Sequence, residues 1–344
     1  GVLTGDHNIA FGNGAGYDLT SGTYNIFTGY QAGANVTTGA GNVFSGYQTG
    51  ENATTANFSI SIGYSAIGVG IMTGNDNTAI GRIAGHDLTS GAFNNFIGYF
   101  AGANATTATN TIAIGTTAIS TGVLTGTDNT AIGRLTGNDL TSGAYNNFIG
   151  YTSGANATTG DYNIAIGYAP LNTGVLTGDD NTAIGRLAGQ DLTSGTYNNF
   201  IGYSAGLNAT TADNTIAIGR SAMGVGILTG GGNTAIGLDA GQDLTSGEYN
   251  NFMGFRAGYN ATTANNTIAI GKQAIGLGVL TGDENIAIGN AAGNDLTSGG
   301  SNVFVGYIAG FNATTGLYNI AIGRQSSSVG VLTGSDNISI GRNT

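Results

Sequence analysis

The pattern of apolar and polar positions repeats along the whole chain, and its clearest copy is Asn77 to Gly81, with the sequence Asn-Thr-Ala-Ile-Gly. The glycine that closes this motif recurs twenty times between Gly12 and Gly341. From Gly63 the spacing between these glycines runs 18, 17 and 17 residues and then repeats, so a 52-residue unit overlies the shorter one. Apolar residues alternate or form short blocks, and Gly falls every few residues, which favours strands and tight turns over helices.

A coil of 17 or 18 residues can pass once around a narrow cross-section and return one strand spacing higher. The spacing therefore predicts an all-β fold, a parallel β-solenoid or β-roll of about 20 coils in a 52-residue superrepeat. The repeat contains no linker and no shift in composition, so we expect a single repetitive domain over residues 1–344. We also expect this domain to be an internal segment of a longer fibre protein.

Two neighbouring columns of the motif are both apolar. The residue before the glycine is apolar in 18 of 20 coils and is mostly Ile, as at Ile80 and Ile97, so we expect this column to face the core. The residue before that cycles through Ala, Phe and Ala on the opposite face of the strand. A strand that is apolar on both faces is normally covered on both, so we expect another copy of the chain or another layer of the roll to pack there. The Phe residues concerned are Phe96, Phe148, Phe200, Phe252 and Phe304.

Polar and small residues occupy the other columns. Asn lies four residues before the glycine in 16 coils, and stacked amides can bond to their neighbours above and below. Four residues after the glycine the chain alternates Gly, Gly and a large apolar residue such as Ile119, which fits a turn with one longer version. A second arc, containing Asp87 to Gly91 and Val123 to Gly126, predicts a second strand bounded by turns.

Composition excludes several classes of protein. With 64 Gly, one Pro, no Cys and 8% charged residues, the chain differs from an ordinary enzyme. Its formal charge of −11 and its lack of clustered Lys and Arg argue against nucleic acid or an anionic membrane as a partner. No apolar run approaches the length needed to cross a bilayer, so we expect no membrane insertion in this segment. Without Cys, the chain has neither disulfides nor thiolate metal sites.

Several recurring residues could carry chemistry, but each has a simpler explanation. His7 and His86 occupy different positions of the repeat, so they do not form a pair. An Asp column appears once per 52 residues, too far apart to share a metal ion, and is best explained by turn capping. An Asn-Ala-Thr sequon also recurs, and a turn Asn beside a strand Thr accounts for it without a glycan. The Asp residues are Asp18, Asp87, Asp139, Asp191, Asp243 and Asp295, and the sequon Asn residues are Asn52, Asn104, Asn156, Asn208, Asn260 and Asn312.

Two surface columns leave binding hypotheses open. An aromatic residue follows the motif glycine in one coil type, at Tyr99, Tyr151, Tyr203, Phe255 and Tyr307. Such a row could stack on sugar rings, although packing at a turn or chain interface is favoured. A Thr column, at Thr89, Thr106, Thr125 and their equivalents, could bind ice, although Thr is also simply a good strand residue.

The motif resembles the head repeat of trimeric autotransporter adhesins, whose coils carry an Asn-x-Ala-Ile-Gly-x-x-Ala core. In this chain Asn77, Ala79, Ile80, Gly81 and Ala84 match that core. It also resembles the Asn-Thr-Ala-Ile-Gly-Tyr-x-Ala-Gly repeats of phage tail fibres, to which Asn198–Gly206 is close. The resemblance covers essentially the whole chain and implies a left-handed parallel β-roll that trimerises, although adhesin coils are typically shorter.

Together these observations favour a structural function. We expect a non-enzymatic, homotrimeric fibre segment without cofactor or metal, acting as a stiff shaft or adhesive head of a phage tail fibre or bacterial surface adhesin. Its location would be extracellular, on a cell surface or a virion, and its partners could include a host receptor or glycan. Catalysis needs a unique cluster of side chains, and the repeats offer none. A self-assembling extracellular filament and an ice-binding solenoid are the alternatives.

Overall fold

The computed structural model describes residues 4–344 and contains one short strand in each coil. Two compact units, Gly1–Thr177 and Gly178–Thr344, each contain ten strands. The strands of the first unit are β1 (Ile9–Phe11), β2 (Ile26–Thr28), β3 (Val43–Ser45), β4 (Ile60–Ile62), β5 (Thr78–Ile80), β6 (Asn95–Ile97), β7 (Ile112–Ile114), β8 (Thr130–Ile132), β9 (Asn147–Tyr151) and β10 (Ile164–Tyr168).

The second unit has the same organisation and is described separately. Its strands are β11 (Thr182–Ile184), β12 (Asn199–Ile201), β13 (Ile216–Ile218), β14 (Thr234–Ile236), β15 (Asn251–Met253), β16 (Ile268–Ile270), β17 (Ile286–Ile288), β18 (Val303–Val305), β19 (Ile320–Ile322) and β20 (Ile338–Ile340). The all-β parallel solenoid of about 20 coils predicted from the spacing is thereby confirmed. Residues 4–344 contain no helix long and apolar enough to span a membrane.

Within each unit, successive strands pair in parallel, and equivalent coil positions lie opposite one another. Ala79 of β5 pairs with Phe96 of β6, which pairs with Ala113 of β7. Each coil therefore advances by one strand spacing, about 4.8 Å, and every column of the sequence becomes a row along the axis.

The motif glycine ends the strand because of its backbone angle and its close stacking. Gly98 has a φ of 137°, which residues with a side chain rarely adopt. A Cβ at Gly98 would also collide with the carbonyl oxygen of Gly115 in the next coil. Successive motif glycines thus stack backbone against backbone, which explains why this column contains no other residue.

The core of the coil is filled by the row of Ala and Phe residues. Ala79, Phe96 and Ala113 are fully buried within the single chain. The Phe96 ring occupies space left by two glycines, since a Cβ on Gly85 would lie 2.8 Å from Cδ2 of this ring and one on Gly102 would meet it as well.

The coil type without a Phe fills the core differently. Ile119 is buried, and a Cβ added to Gly137 in the next coil would lie 3.5 Å from its Cγ1 and 3.7 Å from the Cβ of Ala131. The large residues of one coil thus pack against small residues of its neighbours: the coil of Ala79 and Gly85 carries no large residue at either position and receives the ring of Phe96 from the next coil.

The two apolar faces are the reverse of our expectation. The Ile column, predicted to face the core, is about one-third exposed, with 37% exposure at Ile97. The Phe column, on which we expected another chain or another layer of the roll to pack, lies in the interior of its own coil with at most 1% exposure. The interior is narrow, so it admits a large side chain only where neighbouring coils carry glycine, which a continuous Ile column could not satisfy. The residues to which this correction applies are Phe96, Phe148, Phe200, Phe252 and Phe304.

A ladder of Asn side chains runs beside this core, as the sequence predicts. Asn94 is buried, and its Nδ2 donates to Oδ1 of Asn77 at 3.0 Å and to the carbonyl oxygen of Ala108 at 2.7 Å. The backbone N–H of Thr111, in the next coil, donates to Oδ1 of Asn94 at 2.9 Å. Each amide therefore joins three coils and satisfies buried backbone groups.

The second arc is not a second sheet. Leu88, Ala105 and Leu124 are buried there, as apolar strand residues would be, but the backbone forms turns and bends. The described part of this arc contains only two isolated bridges, Ala157 with Leu176 and Ala313 with Leu332. The local turn bond from the N–H of Leu88 to the carbonyl of Gly85 shows why: the chain curves too tightly here for extended pairing.

Candidate interaction surface

The outer face of the strands is the most regular surface of each unit. In β9, Asn147, Ile149 and Tyr151 are exposed while Phe148 between them is buried. This alternation places three rows side by side on the surface. The first contains the first residue of each strand, such as Asn147, the second is the Ile row, and the third is the row of Tyr and Arg that follows the glycine.

From Ile62 onward the Ile row of the first unit forms an unbroken apolar stripe, whereas Thr28 and Ser45 occupy the same column in β2 and β3. In the first unit Ile62, Ile80, Ile97, Ile132 and Ile149 are between 36% and 39% exposed. Single exposed apolar residues are normal on a protein surface, but a contiguous stripe of them marks a surface that contacts something else. The Ile row is therefore the apolar surface that the single chain leaves uncovered.

The row after the glycine stacks on itself. Tyr30, Tyr47 and Tyr64 lie face to face with centroids 5.0 Å apart. The guanidinium carbon of Arg82 then lies 5.7 Å from the ring centroids of both Tyr64 and Tyr99. Both faces of Tyr47 and of Tyr64 are therefore covered by neighbours in the same row, and the row presents ring edges to solvent.

The predicted surface aromatic row belongs to this ladder. Tyr99, Tyr151, Tyr203, Phe255 and Tyr307 are between 37% and 49% exposed. An Arg lies over one face of each ring at 5.2 to 5.7 Å, in the same order Arg82, Arg134, Arg186, Arg256 and Arg324. These cation–π contacts already use a ring face that a sugar would need for stacking. The geometry thus favours the packing explanation of this row over the glycan platform.

Charges are separated between the two ends of the strand. Eleven of the 19 acidic residues lie five or six positions before the motif glycine, and we call this row the acidic edge. Seven of the eight Lys and Arg residues lie directly after the glycine, in the row of the stacked tyrosines, which we call the basic edge. This arrangement was not predicted from the sequence, because the charges become two edges of one surface only once the strand between them is located.

The residues considered for metal or catalytic chemistry lie apart. In the described residues no group of three or more His, Asp or Glu could hold a metal ion. The His86 side chain hydrogen-bonds to its sequence neighbour, with Nδ1 2.8 Å from Oδ1 of Asp87. In the same Asp column, Asp139 and Asp295 also bond the side chain before them, accepting from Asn138 and Asn294. These carboxylates thus bond neighbouring side chains where we expected capping of turn N–H groups.

The Asn and Thr columns have structural roles in the coil. The sequon residue Asn104 donates from Nδ2 to the carbonyl of Thr121 at 3.0 Å, and Asn208 does the same to Val225 at 2.8 Å. The hydroxyl of Thr89 donates to the carbonyl of Thr106 at 2.9 Å in the next coil. Side chains with such internal bonds are partly withdrawn from external ligands, ice included.

Comparison with known proteins gives no relative: no protein-family model matches the chain, and no curated protein matches it.

Proposed function

We propose that this chain is a structural segment of an extracellular fibre, a homotrimer of parallel β-rolls. It would act as a stiff shaft or adhesive head of a phage tail fibre or bacterial surface adhesin. The observation that carries this proposal is the continuous exposed Ile row on a solenoid whose own interior is already complete.

The Ile row supports self-association because it is repeated in the same form along each unit. Each coil adds about one-third of an Ile side chain to the same stripe. Burial of apolar surface contributes roughly 25 cal/mol per Å², so many small equal contributions sum along the axis. A second copy carries the matching surface with the same repeat, and closed cyclic symmetry is the usual way in which identical chains cover such a patch.

Stiffness follows from the direction of the hydrogen bonds. Backbone bonds link each coil to the next within a unit, as from the N–H of Asn95 to the carbonyl of Thr111 at 2.8 Å. The Asn ladder and the Tyr and Arg ladder run in the same direction. Bending would stretch several of these rows together, as expected for a spacer.

The distribution of side chains favours a structural role over an enzymatic one. An active site needs one constellation that differs from the rest of the molecule, whereas the columns described above recur in coil after coil. Repetition is typical of a structural shaft, in which every coil has the same role. An adhesive function would use the exposed ring edges and hydroxyls of the Tyr row for a host receptor or glycan.

The proposal is tested by the mass of the particle in dilute solution. Light scattering after size exclusion should give three times the chain mass and hold that value over a tenfold dilution. A chain that runs as a monomer at every concentration would refute the trimer. Electron microscopy of the same sample should show thin rods; end-to-end polymers would favour the filament alternative.

A further inference from the structure

The acidic and basic edges coincide on some of the strands. In four strands an acid five residues before the glycine and an Arg directly after it occur together, whereas Arg220, Lys272 and Arg324 follow a glycine that has no acid at that position. The pairs are Asp76 and Arg82 around β5, Asp128 and Arg134 around β8, Asp180 and Arg186 around β11, and Asp336 and Arg342 around β20.

In the first unit these charges do not meet within one chain. The two residues of a pair are six positions apart, on opposite sides of a three-residue strand, a separation of at most about 20 Å. In the described part of the first unit, no ion pair involves Asp76, Arg82, Asp128 or Arg134, and the guanidinium of Arg82 lies over tyrosine rings. Strands β5 and β8 thus each lie between two complementary charges that their own chain keeps apart.

Aromatic residues show the same correlation. In the following coil type both edge positions are aromatic: Phe93 and Tyr99 at β6, Tyr145 and Tyr151 at β9, Tyr197 and Tyr203 at β12, and Tyr249 and Phe255 at β15. A 52-residue repeat alone would produce this match, so departures from the repeat are more informative.

Two departures change both edges together. At β14 the acid is replaced by Gly232 and the Arg by Leu238, so both charges are lost. At β10 the usual polar pair becomes Tyr162 and Tyr168. At three strands only one edge changes, giving Glu284 with Asn290 at β17, Ser301 with Tyr307 at β18 and Tyr318 with Arg324 at β19. The departures are thus mixed, and it is the separation of opposite charges onto two edges that favours contact between the edges of two copies.

We infer that a second copy of this chain covers the Ile row with its solenoid axis parallel and its coils in register, so that acidic edge contacts basic edge. The two edge positions lie three residues on either side of the buried Ala and Phe row. Rotation about an axis parallel to the solenoid therefore places the acidic edge of one copy on the basic edge of its neighbour. Copies with opposed axes would set acid against acid and Arg against Arg, which is unfavourable.

Register follows from the spacing of the charges. Charged strands recur every third coil, about 14 Å along the axis, with aromatic and polar strands between them. A slip of one coil would place Asp128 opposite Tyr151 or Thr116 of the second copy, according to its direction. This inference rests on the proposed self-association and adds the face, the direction and the register.

Cysteine cross-linking tests the contact directly, because the chain contains no Cys. Asp128→Cys and Arg134→Cys variants of the 344-residue chain are mixed, unfolded, refolded together and treated with a short bifunctional maleimide. We expect a cross-linked dimer between the two variants. Arg82→Cys in place of Arg134→Cys is the matched control, three coils out of register, and should give at least tenfold less product.

Two other results would overturn the inference. Asp128→Cys that cross-links efficiently to itself would show opposed axes. An oligomer by light scattering without the Asp128–Arg134 product would place the interface elsewhere while leaving the proposed fibre intact. A monomer by light scattering would refute the proposed function and this inference together.

A charge exchange gives an independent readout. Arg82→Asp with Arg134→Asp should weaken association by at least tenfold, since two acidic edges would then meet. Adding Asp76→Arg and Asp128→Arg to the same chain should restore association. If the fourfold variant associates no better than the twofold one, the edges do not contact each other.

Discussion

The two faces of a single strand differ in how completely the chain buries their side chains. On the inner face of β6, Phe96 fits between glycines of its own and the preceding coil, and no water reaches it. On the outer face Ile97 remains 37% exposed, beside equivalents that are exposed to the same degree. The side chains of the inner row vary in size, and small residues in neighbouring coils compensate for the large ones. The side chains of the outer row are mostly Ile, and they stay partly exposed. We infer from this difference that the inner row stabilises the fold, whereas the outer row is the surface available to a partner.

The largest effect should come from emptying the inner face. Phe96→Ala removes a fully buried ring that packs into the space beside two glycines. We therefore expect a loss of about 3–5 kcal/mol in the free energy of unfolding. Ile97→Ala is the matched control on the outer face and should cost much less in the monomer. Hydrogen exchange of amides in the adjoining coils measures both. Equal losses of stability in Phe96→Ala and Ile97→Ala would contradict the assignment of one face to the core and the other to the surface.

A compensating substitution sharpens this comparison. Gly102→Ile alone should cost about 1–3 kcal/mol, because a side chain there meets the Phe96 ring. Combined with Phe96→Ala it recreates the third coil type, in which Ala113 accompanies the buried Ile119. The double variant should therefore be more stable than Phe96→Ala alone, as measured by chemical denaturation. Additive losses would mean that the two sites do not share one volume.

The sequence revealed the architecture but not which face is inside. The spacing of the glycines was sufficient for the solenoid, because a fixed coil length leaves little freedom. Apolar character alone suggested Ile as core, since Ile is usually buried. The pattern of side-chain volumes would have identified the inner face correctly. Phe96 alternates with Ala113, and Gly102 with Ile119, which is the compensation expected of neighbours in one interior.

The surface was less predictable for a related reason. The position of the aromatic row was found, but its stacking with Arg82 depends on the distance between coils and the direction of the side chains. The second arc was assigned as a strand from Leu and Thr, whereas tight turns hold those residues at the same depth. Columns of sequence indicate which residues stack, and they do not indicate how sharply the backbone bends.

An intermediate effect is expected from the Asn ladder. Asn94→Ala leaves the carbonyl of Ala108 and the N–H of Thr111 without these buried partners, while Oδ1 of Asn77 keeps only the bond from the backbone N–H of residue 94. The expected cost is about 1–3 kcal/mol in the free energy of unfolding. Asn94→Thr is the control, since the chain itself places Thr111 in this column, and thermal denaturation should rank it between wild type and Ala. A loss with Thr as large as with Ala would argue against the ladder.

The smallest effect concerns a single carboxyl. Burial raises the pKa of Asp243 above its ordinary value of 3.8, so folding favours its protonated form. The stability that it contributes is present at low pH and is lost as the pH rises through its folded-state pKa. Asp243→Asn should therefore be slightly more stable than wild type at pH 7 and equal to it near pH 3 in thermal denaturation. A difference that grows towards low pH would contradict this sign.

The central claim, that the Ile row is the surface by which copies associate, is tested most directly by sedimentation of a variant that removes part of it. Ile80→Ser, Ile97→Ser and Ile132→Ser change one unit without altering its core, and the matched control carries Val69→Ser, Val123→Ser and Val175→Ser at more exposed positions elsewhere on the coil. We predict that the Ile variant dissociates at a protein concentration at least tenfold higher than wild type does, with an unchanged circular dichroism spectrum, while the Val control dissociates at the wild-type concentration. An Ile variant that dissociates no more readily than the Val control would contradict the claim.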